Sequence, residues 1–282
     1  MGQMPHACAA RRTYAFSHNV KELIMATPSP RDCAALAETT AALPPGTDER
    51  LSGYALMGMP FSSGHCLAFR RFPASSIGPA YAALWLFRPN AGWTIYADAP
   101  PEQSCARYFG ADLAGTALTP VERHWEGPFA LTVGVPGVVR WSLELKETRS
   151  TAALTTAAGL LPEGFWGRPA VLAGMGRFMG PALHAGTLRL AGTVPNGQTY
   201  QARPMRVWVV KASHAVIDGT DAGAPKPLPQ QLHLGDFWLP QRGLFVADMS
   251  LHFPSTAPAR TQPAPSKQQA AHTGAHLGRT TS

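Results

Sequence analysis

The stretch of sequence that decides the fold runs from Thr187 to Phe253 and begins TLRLAGTVPNGQTYQARPMRVWVVKASHAVIDGT. It contains a Pro195-Asn196-Gly197 turn between two strand-like runs, a Trp-bearing apolar run at 206–210, and a second turn at Asp218-Gly219, before the sequence DFWLP at 236–240. Asn-Gly is the strongest short hairpin signal, because both central residues of a type I′ turn need positive φ and these two residues tolerate it. The segment therefore predicts antiparallel β-sheet.

Strand signals continue upstream, over about Leu51–Lys146. Trp85–Tyr96 predicts a hairpin that turns near residues 90–92, and Val139–Lys146 alternates apolar and polar residues strictly. Strict alternation places one face of a strand on the core and the other in water. Residues 149–185, rich in Ala, Leu and Gly, predict one or two short helices. We expect an all-β, antiparallel fold, a barrel or paired sheets, with a short helical insert.

Composition and the positions of Pro and Gly residues divide the chain into six predicted segments. They are 1–24, a disordered upstream extension; 25–50, an N-terminal helix and linker; 51–148, a first β section; 149–185, a helical and Gly-rich linker; 186–254, a second β section; and 255–282, a disordered tail. If residues 1–24 are such an extension, we expect Met25 to be the natural start. The helix is predicted from Ser29 as N-cap, Pro30 at the first position and Asp32 at the third. Its apolar face is mostly alanine, so we expect a lid or a peripheral arm. The tail has too few large apolar residues to offset its ordering entropy.

The charge distribution argues against nucleic-acid binding. The formal charge is +7, but residues 1–24 carry +2 and residues 255–282 carry +3, which leaves +2 for residues 25–254. A body so nearly neutral has no extended basic face for a phosphate backbone. With 45% hydrophobic residues the chain is typical of globular proteins.

The cysteines and the apolar runs indicate a cytoplasmic protein. Cys8, Cys33, Cys66 and Cys105 form no CxxC pair, so zinc and thioredoxin-like sites lack their spacing. Arg11 and other polar residues interrupt any secretory signal, and no apolar run approaches the roughly 20 residues of a membrane helix. We expect no stable membrane insertion, and the oligomeric state stays open.

Two motifs suggest cofactor or metal sites, and neither fits. Gly174–Gly180 reads GxGxxxG rather than GxGxxG and lacks a strand–helix–strand context, so a flexible turn or a close backbone contact is the better interpretation. Asp218–Gly223 resembles a calcium loop, but Ala222 has no ligand oxygen and Gln230 replaces the acid at the twelfth position. The sequence thus predicts a β-turn there, with no cofactor and no metal.

Several polar residues are candidates for catalysis. His124 and Glu126 are two apart, so on a strand they share a face and form a possible base with its orienting acid. His214 precedes Asp218 at a spacing that also keeps one face. Such spacings also arise by chance, and surface pairs are the alternative. Asp98 and Glu102 are further candidate acids.

Aromatic residues are dense in Trp93–Gly110, which leaves a strand through a Pro-Pro bend. Aromatic walls with few polar groups describe a pocket for a lipophilic ligand, and loops at the mouth of a sheet are common places for sites. The alternative is a loop held by its own aromatics. The candidate pocket walls are Trp93, Tyr96, Tyr108, Trp208 and Trp238.

Three strings resemble the carotenoid 1,2-hydratase and AttH-like group of two-part calycins. They are Leu190–Val194, Arg206–Val210 and Ala215–Gly219, which together with their surroundings cover about a quarter of the chain. The resemblance implies a calycin-like, lipocalin-like fold that holds lipophilic molecules such as polyenes. No family catalytic motif matches a position here, so no residue role is transferred.

Two functional hypotheses follow. The first is binding of a lipophilic small molecule in an aromatic-lined pocket, with acid-assisted isomerisation, hydration or cyclisation as a further step. The second is a non-enzymatic interaction module that meets a protein partner through an exposed aromatic surface. An enclosed cavity with a convergent His–acid pair favours the first, and a filled interior with exposed tryptophans favours the second.

Overall fold

A computed structural model describes residues 28–254, which consist mainly of β-strands. The predicted upstream extension and the predicted disordered tail lie outside the described residues. The strands are β1 Glu49–Pro60, β2 Cys66–Ser75, β3 Tyr81–Arg88, β4 Gly92–Ala97, β5 Leu113–Leu118, β6 Glu122–Trp125, β7 Ala130–Val135, β8 Val139–Lys146, β9 Ala191–Thr193, β10 Thr199–Ile217, β11 Thr220–Asp221, β12 His233–Leu234, β13 Phe237–Trp238 and β14 Leu244–Phe253. The α-helices are α1 Pro30–Thr39, α2 Ala106–Phe109, α3 Arg149–Leu160, α4 Glu163–Trp166 and α5 Pro169–Ala182.

Twelve of the strands form one sheet, which curls into a half-barrel. Its order is β5-β4-β3-β2-β1-β14-β10-β8-β7-β6, with β9 and β11 paired to β10, while β12 and β13 form a separate hairpin. The last strand, β14, lies between β1 and β10 and pairs antiparallel with both. It therefore joins strands that are far apart in the sequence into one continuous sheet.

The prediction of an entirely antiparallel sheet is wrong at one pair. β4 and β5 are parallel, with Thr94 opposite Gly115 and Tyr96 opposite Ala117. A parallel pair needs a crossover connection. Here the segment between the two strands contains α2 and two short 3-10 helices, Pro101–Gln103 and Gly110–Asp112, which return the chain to the start of β4.

The predicted hairpins form, but one turn type differs. β9 pairs with β10 around Pro195-Asn196-Gly197. Gly197 has a φ of +86°, whereas Asn196 is not among the residues with positive φ, so the turn is not type I′. The Gly197 N–H donates to the Val194 carbonyl oxygen at 2.8 Å, so Pro195 and Asn196 are the central residues of the turn. Pro195 takes the first central position, which proline favours, and the left-handed residue is the glycine that closes the turn. At the β10–β11 turn, Asp218 and Gly219 have φ of +51° and +79°, which confirms a β-turn there.

Two apolar cores lie on the two faces of the sheet. The inner core lies on the face that contains Leu67, Phe69 and Trp141, and α1 contributes Cys33 and Ala34 to it. The outer core lies on the opposite face and is covered by α2, the α3–α5 region and the β12–β13 hairpin. Strands β1, β2 and β3 are buried on both faces, so this central part of the sheet is covered on both sides. Strands β7 and β8 alternate buried residues with more exposed ones, so their second face is turned towards water.

The N-terminal helix starts as predicted. Ser29 caps α1, Pro30 is the first helical residue, and the Asp32 carboxylate accepts a hydrogen bond from the Ser29 backbone. Near the other end, Glu38 accepts hydrogen bonds from Arg71 on β2 and forms an ion pair with Arg123 on β6. The helix thus links two strands that are far apart in the sheet order.

The predicted helical insert contains α3, α4 and α5. α5 includes the glycine cluster at residues 174–180, which is helical and not a flexible turn. The expected close backbone contact is present: a Cβ at Gly180 would lie 2.2 Å from the Gly186 carbonyl oxygen. Glycine therefore lets the segment after α5 pack directly on the helix.

Candidate functional site

The candidate site is a small enclosed chamber in the outer core, with a volume of about 20 Å³. It lies between the β1–β3 part of the sheet on one side and α2 with the β12–β13 hairpin on the other. Its walls are Leu51, Arg70, Trp85, Cys105, Tyr108, Phe109, Val194, Tyr200, Phe237, Leu251 and Phe253. Aromatic rings therefore dominate a chamber that contains one charged side chain, Arg70.

Arg70 is buried, with 2% of its surface exposed. Its Nη1 donates hydrogen bonds to the carbonyl oxygens of Leu56 at 2.5 Å and Phe69 at 3.0 Å, and its Nη2 donates to the Met57 carbonyl at 3.3 Å. No acid among residues 28–254 forms an ion pair with it. Burial lowers the pKa of Arg70 to about 10, so the group is still charged at neutral pH.

Aromatic rings surround the Arg70 guanidinium. Its central carbon lies 4.9 Å from the ring centroid of Trp85 and 5.7 Å from that of Phe237. Phe109 packs edge-on against both rings, at 4.7 and 5.4 Å between centroids. Cation–π attraction offsets part of the free-energy cost of removing the charge from water, and this attraction is stronger in a desolvated site. The rings hold the guanidinium in place without neutralising it.

Neutral polar groups complete the wall. The Cys105 Sγ lies 3.3 Å from the Tyr81 hydroxyl. Burial raises the pKa of the Cys105 thiol and that of the Tyr81 phenol, so both groups are protonated at neutral pH. The buried indole nitrogen of Trp85 makes no hydrogen bond of normal geometry with a described residue, although it interacts with the Cys105 thiol.

The β12–β13 hairpin covers the chamber and is held by polar contacts at its base. The Tyr200 hydroxyl lies 3.1 Å from the carbonyl oxygens of Arg189 and Asp236. The Asp236 side chain accepts a hydrogen bond from the Thr193 backbone at 3.0 Å and pairs with Arg189. The ladder between β12 and β13 has two residue pairs and is extended by a hydrogen bond from the Leu239 N–H to the Leu232 carbonyl oxygen, at 2.9 Å. The cover therefore combines a short ladder of its own with these contacts.

The structure distributes the five candidate wall residues over several places. Tyr108 lines the chamber and stacks on Phe253, with centroids 3.6 Å apart. Trp93 lies one layer behind, edge-on to Trp85 at 6.2 Å.

The other three candidate walls lie away from the chamber lining. Trp208 belongs to the inner core, on the other face of the sheet. Tyr96 also packs against the inner core, and its hydroxyl accepts hydrogen bonds from Arg88. Trp238 lies on the hairpin and stacks on His233 at 4.6 Å. The chamber thus has Tyr108 in its wall and Trp93 behind it.

The candidate histidines lie away from the chamber. His214 is exposed, and its Nε2 lies 3.3 Å from an Asp221 carboxylate oxygen, while Asp218 is held by Arg88. His124 is exposed on β6, opposite Thr132, and Thr132 donates a 2.7 Å hydrogen bond to Glu126. No hydrogen bond joins His124 to Glu126 in the described part of the chain.

The two candidate acids of the 93–110 segment, Asp98 and Glu102, lie in different environments. Asp98 accepts a 2.6 Å hydrogen bond from the backbone N–H of Ala82, which fixes the end of β4 to β3. Glu102 is exposed in the first 3-10 helix. Neither lines the chamber. Within residues 28–254, no three His, Cys, Asp or Glu side chains lie close enough together to hold a metal ion.

Arg70 is not among the candidate residues predicted from the sequence, although the sequence of β2 contains a signal for its burial. β2 is apolar on both faces, since Leu67 and Phe69 alternate with Ala68 and Phe72. Successive residues of a strand point to opposite faces. Two consecutive arginines in such a strand therefore place one guanidinium on each side, and at least one of them must be buried.

The family-model comparison and the curated-protein comparison gave no match for this chain. Among solved structures, the chain is similar to the acetoacetate decarboxylase of Legionella pneumophila subsp. pneumophila str. Philadelphia 1, with 8% identity, a TM-score of 0.36, and coverage of 78% of this chain and 93% of that one. A second acetoacetate decarboxylase structure matches with 10% identity and a TM-score of 0.35 over 83% of this chain and 95% of that one. TM-scores this low do not establish a common fold, and neither match bears on the activity.

The comparisons do not support the resemblance to the carotenoid hydratase group, because no match at the level of sequence or family model was found. A half-barrel of β-strands agrees with the coarse architecture that the resemblance implied. No helix of the described residues is long and apolar enough to cross a membrane.

Proposed function

We propose that this protein binds a small lipophilic molecule in the chamber around Arg70. The observation that carries the proposal is a buried, unpaired cation in an aromatic enclosure whose polar atoms are incompletely hydrogen-bonded. Ligand sites are typically apolar enclosures with a few fixed polar groups. The chamber has both features, and Tyr108 is part of its aromatic wall.

A ligand must open the chamber in order to enter it. The enclosed volume of about 20 Å³ is enough for roughly one water molecule. The β12–β13 hairpin is a short element that covers the chamber, with two residue pairs between its strands. We infer that the hairpin swings outward and that Phe237 and the neighbouring rings then pack on the ligand.

The proposal is limited to binding. Acid-assisted isomerisation, hydration or cyclisation needs a proton donor at the ligand, and the chamber offers the Cys105 thiol and the Tyr108 phenol, whose pKa values burial raises. The candidate His–acid pairs lie outside the chamber. Lys146, Lys211 and Lys226, the lysines of the described part of the chain, are exposed, so none supplies a desolvated amine for Schiff-base chemistry.

The interaction-module hypothesis has less support. Its expected signs were a filled interior and exposed tryptophans. The interior is nearly filled, since the chamber has a volume of about 20 Å³, but every tryptophan of residues 28–254 is buried or half-buried. The proposed cytoplasmic location is supported by Cys33, Cys66 and Cys105, which are free thiols in the described structure.

The test is ¹⁹F NMR of the full chain labelled with 5-fluorotryptophan, titrated with benzene, toluene, indole and 2-naphthol. Trp85 lies in the chamber wall, whereas Trp141 is equally buried in the inner core, and Trp85→Phe and Trp141→Phe assign the two resonances. We expect at least one probe to shift the Trp85 resonance saturably and to leave that of Trp141 unchanged. If no probe moves the Trp85 resonance, or both resonances move together, the proposal is wrong.

A further inference from the structure

Three arginines of this chain hold a carboxylate in the same way. Each donates from Nε and Nη2 at 2.6–3.3 Å: Arg71 to Glu38, Arg88 to Asp218, and Arg107 to Glu49. These two nitrogens place a pair of N–H groups along one edge of the guanidinium plane. The pair matches the two oxygens of a carboxylate, which is why such contacts are short and specific.

Arg70 presents the same edge with no acid on it. A guanidinium has five N–H groups. Nη1 and Nη2 of Arg70 make three hydrogen bonds to backbone carbonyl oxygens, and Nε donates to no residue of the described range 28–254. The Nε–H and one Nη2–H are therefore left without a protein acceptor. The side chain as a whole is almost fully buried, with 2% of its surface exposed.

We propose that Arg70 recognises the carboxylate of a small monoanionic acid whose apolar body packs on the aromatic walls, an inference that rests on the binding function proposed above. The carboxylate takes the free Nε–Nη2 edge. The rings of Trp85 and Phe237 lie next to the guanidinium, and Phe109 packs on both of them. These three rings then enclose the remainder of the molecule.

The charge of the chamber selects a monoanion. Arg70 is the one charged residue among the lining residues, so the site offers a single positive charge. A phosphate dianion would keep one uncompensated charge in a poorly hydrated site, which is costly. A neutral ligand would leave the Arg70 cation uncompensated. A planar carboxylate matches both the charge and the shape of the free edge.

Binding of such an acid also completes a buried ion pair. A buried charge without a partner is costly, and an opposite charge with good hydrogen-bond geometry offsets that cost. Because the acid binds the folded chain and not the unfolded chain, it raises the thermal midpoint as its concentration increases. The stabilisation is thus coupled to the occupancy of Arg70.

The experiment compares matched probes that differ in charge and hardly in shape: benzoate with nitrobenzene, and cyclohexanecarboxylate with nitrocyclohexane. Dissociation constants come from the ¹⁹F resonance of Trp85. We expect each carboxylate to bind at least about tenfold more tightly than its nitro counterpart, since hydrogen bonds to charged groups are among the strongest in proteins. The Nε–H resonance of Arg70, assigned with Arg70→Lys, should move downfield with benzoate and not with nitrobenzene.

Variants of Arg70 test whether this residue causes the preference for carboxylates. Arg70→Gln should remove the preference for carboxylates, while Arg88→Gln, whose parent guanidinium already holds Asp218, should keep it. Arg70→Lys keeps the charge but loses the planar edge, so it should restore part of the preference. The inference is overturned if wild-type protein binds the members of each pair equally, or if Arg70→Gln keeps the preference. In both cases binding of the neutral probes leaves the proposed function intact. If Arg70→Gln does not fold, the wild-type ratio and the Arg70 Nε–H shift decide.

Discussion

Arg70 and Arg71 are neighbours on β2, and their guanidinium groups lie on opposite faces of the sheet in opposite electrostatic states. Arg71 donates two hydrogen bonds to the Glu38 carboxylate, at 2.9 and 2.8 Å. Arg70 lies among backbone carbonyls and aromatic rings and has no acid partner among the described residues. One arginine thus fixes α1 to the sheet, and the other holds a positive charge in the chamber.

The two arginines should differ in their contribution to stability. Arg71→Met leaves Glu38 without its main partner in a half-buried position, and we expect it to lower the free energy of unfolding by roughly 1–3 kcal/mol. Arg70→Met removes the hydrogen-bond donor of the Leu56, Met57 and Phe69 carbonyl oxygens, but it also removes a buried charge that has no acid partner among the described residues. Because the second effect offsets part of the first, we expect a smaller loss of unfolding free energy than with Arg71→Met. Urea unfolding of the two variants in parallel measures the difference. An equal or larger loss with Arg70→Met would show that Arg70 mainly stabilises the fold.

The Glu38 cluster should make stability fall in acid. Burial acts to raise the pKa of Glu38, but hydrogen bonds from Arg71 and Tyr54 and the charges of Arg71 and Arg123 outweigh it, so the pKa lies below its ordinary value of 4.5. A carboxylate with a lowered pKa contributes stability that is fully present above pH 4.5 and is lost as pH falls through the lowered pKa.

Glu38→Gln tests this dependence. We expect the variant to be roughly 1–2 kcal/mol less stable than wild type at pH 7. The difference should narrow below pH 4.5, where wild type loses its carboxylate. Glu102→Gln, which removes the same charge from an exposed position, is the control. Thermal midpoints from pH 3 to 7 provide the measurement, and a constant difference over that range would contradict the argument.

The glycines of α5 should respond differently to alanine. A Cβ at Gly176 would lie 2.6 Å from the Leu188 carbonyl oxygen, and one at Gly180 would lie 2.2 Å from that of Gly186, whereas a Cβ at Gly174 meets nothing within 4 Å. We expect Gly176→Ala and Gly180→Ala to lower the free energy of unfolding by about 1–3 kcal/mol, because the helix and the following backbone must separate. Gly174→Ala should instead raise the free energy of unfolding by roughly 0.5–1 kcal/mol, because alanine has the higher helix propensity. Equilibrium unfolding of the three variants decides, and equal effects at all three positions would refute the close contact.

Local sequence patterns predicted the local structure well. The alternation in Val139–Lys146, the turn at residues 90–92 and the cap at Ser29 each depend on neighbouring residues, and each is present in the structure. The parallel β4–β5 pair was not predicted, because it depends on where the chain returns after α2.

The chamber could be predicted only in part, because its walls come from distant parts of the chain. The dense aromatic segment drew attention to Tyr108, which lines the chamber. Its stacking partner Phe253 and the covering Phe237 meet it only after β14 has inserted between β1 and β10. The burial of Arg70 follows from the apolar nature of both faces of β2, which a search for His–acid pairs does not detect. Alternation places a residue on a face, whereas the curl of the sheet and the covering hairpin determine what it contacts.

The Tyr200 hydroxyl should control how readily the chamber opens. It lies 3.1 Å from the carbonyl oxygens of Arg189 and Asp236 and thereby holds the base of the β12–β13 hairpin. Tyr200→Phe removes the hydroxyl and keeps the ring. Since one hydrogen bond contributes about 1 kcal/mol, amide exchange in residues 233–239 should become roughly fivefold faster.

Tyr54→Phe is the matched control, because that hydroxyl contacts Glu38 on the other face of the sheet at 3.0 Å. Its loss should leave hairpin exchange unchanged. Hydrogen–deuterium exchange with peptide-level mass spectrometry measures the exchange rate of the hairpin in both variants. If ligands enter by way of the hairpin, benzoate should also bind faster to Tyr200→Phe than to wild type. Faster exchange without faster binding would mean that ligands reach Arg70 by another path, whereas unchanged exchange would mean that the packing of Phe237 on Trp85 and Phe109, rather than the Tyr200 hydroxyl, keeps the cover closed.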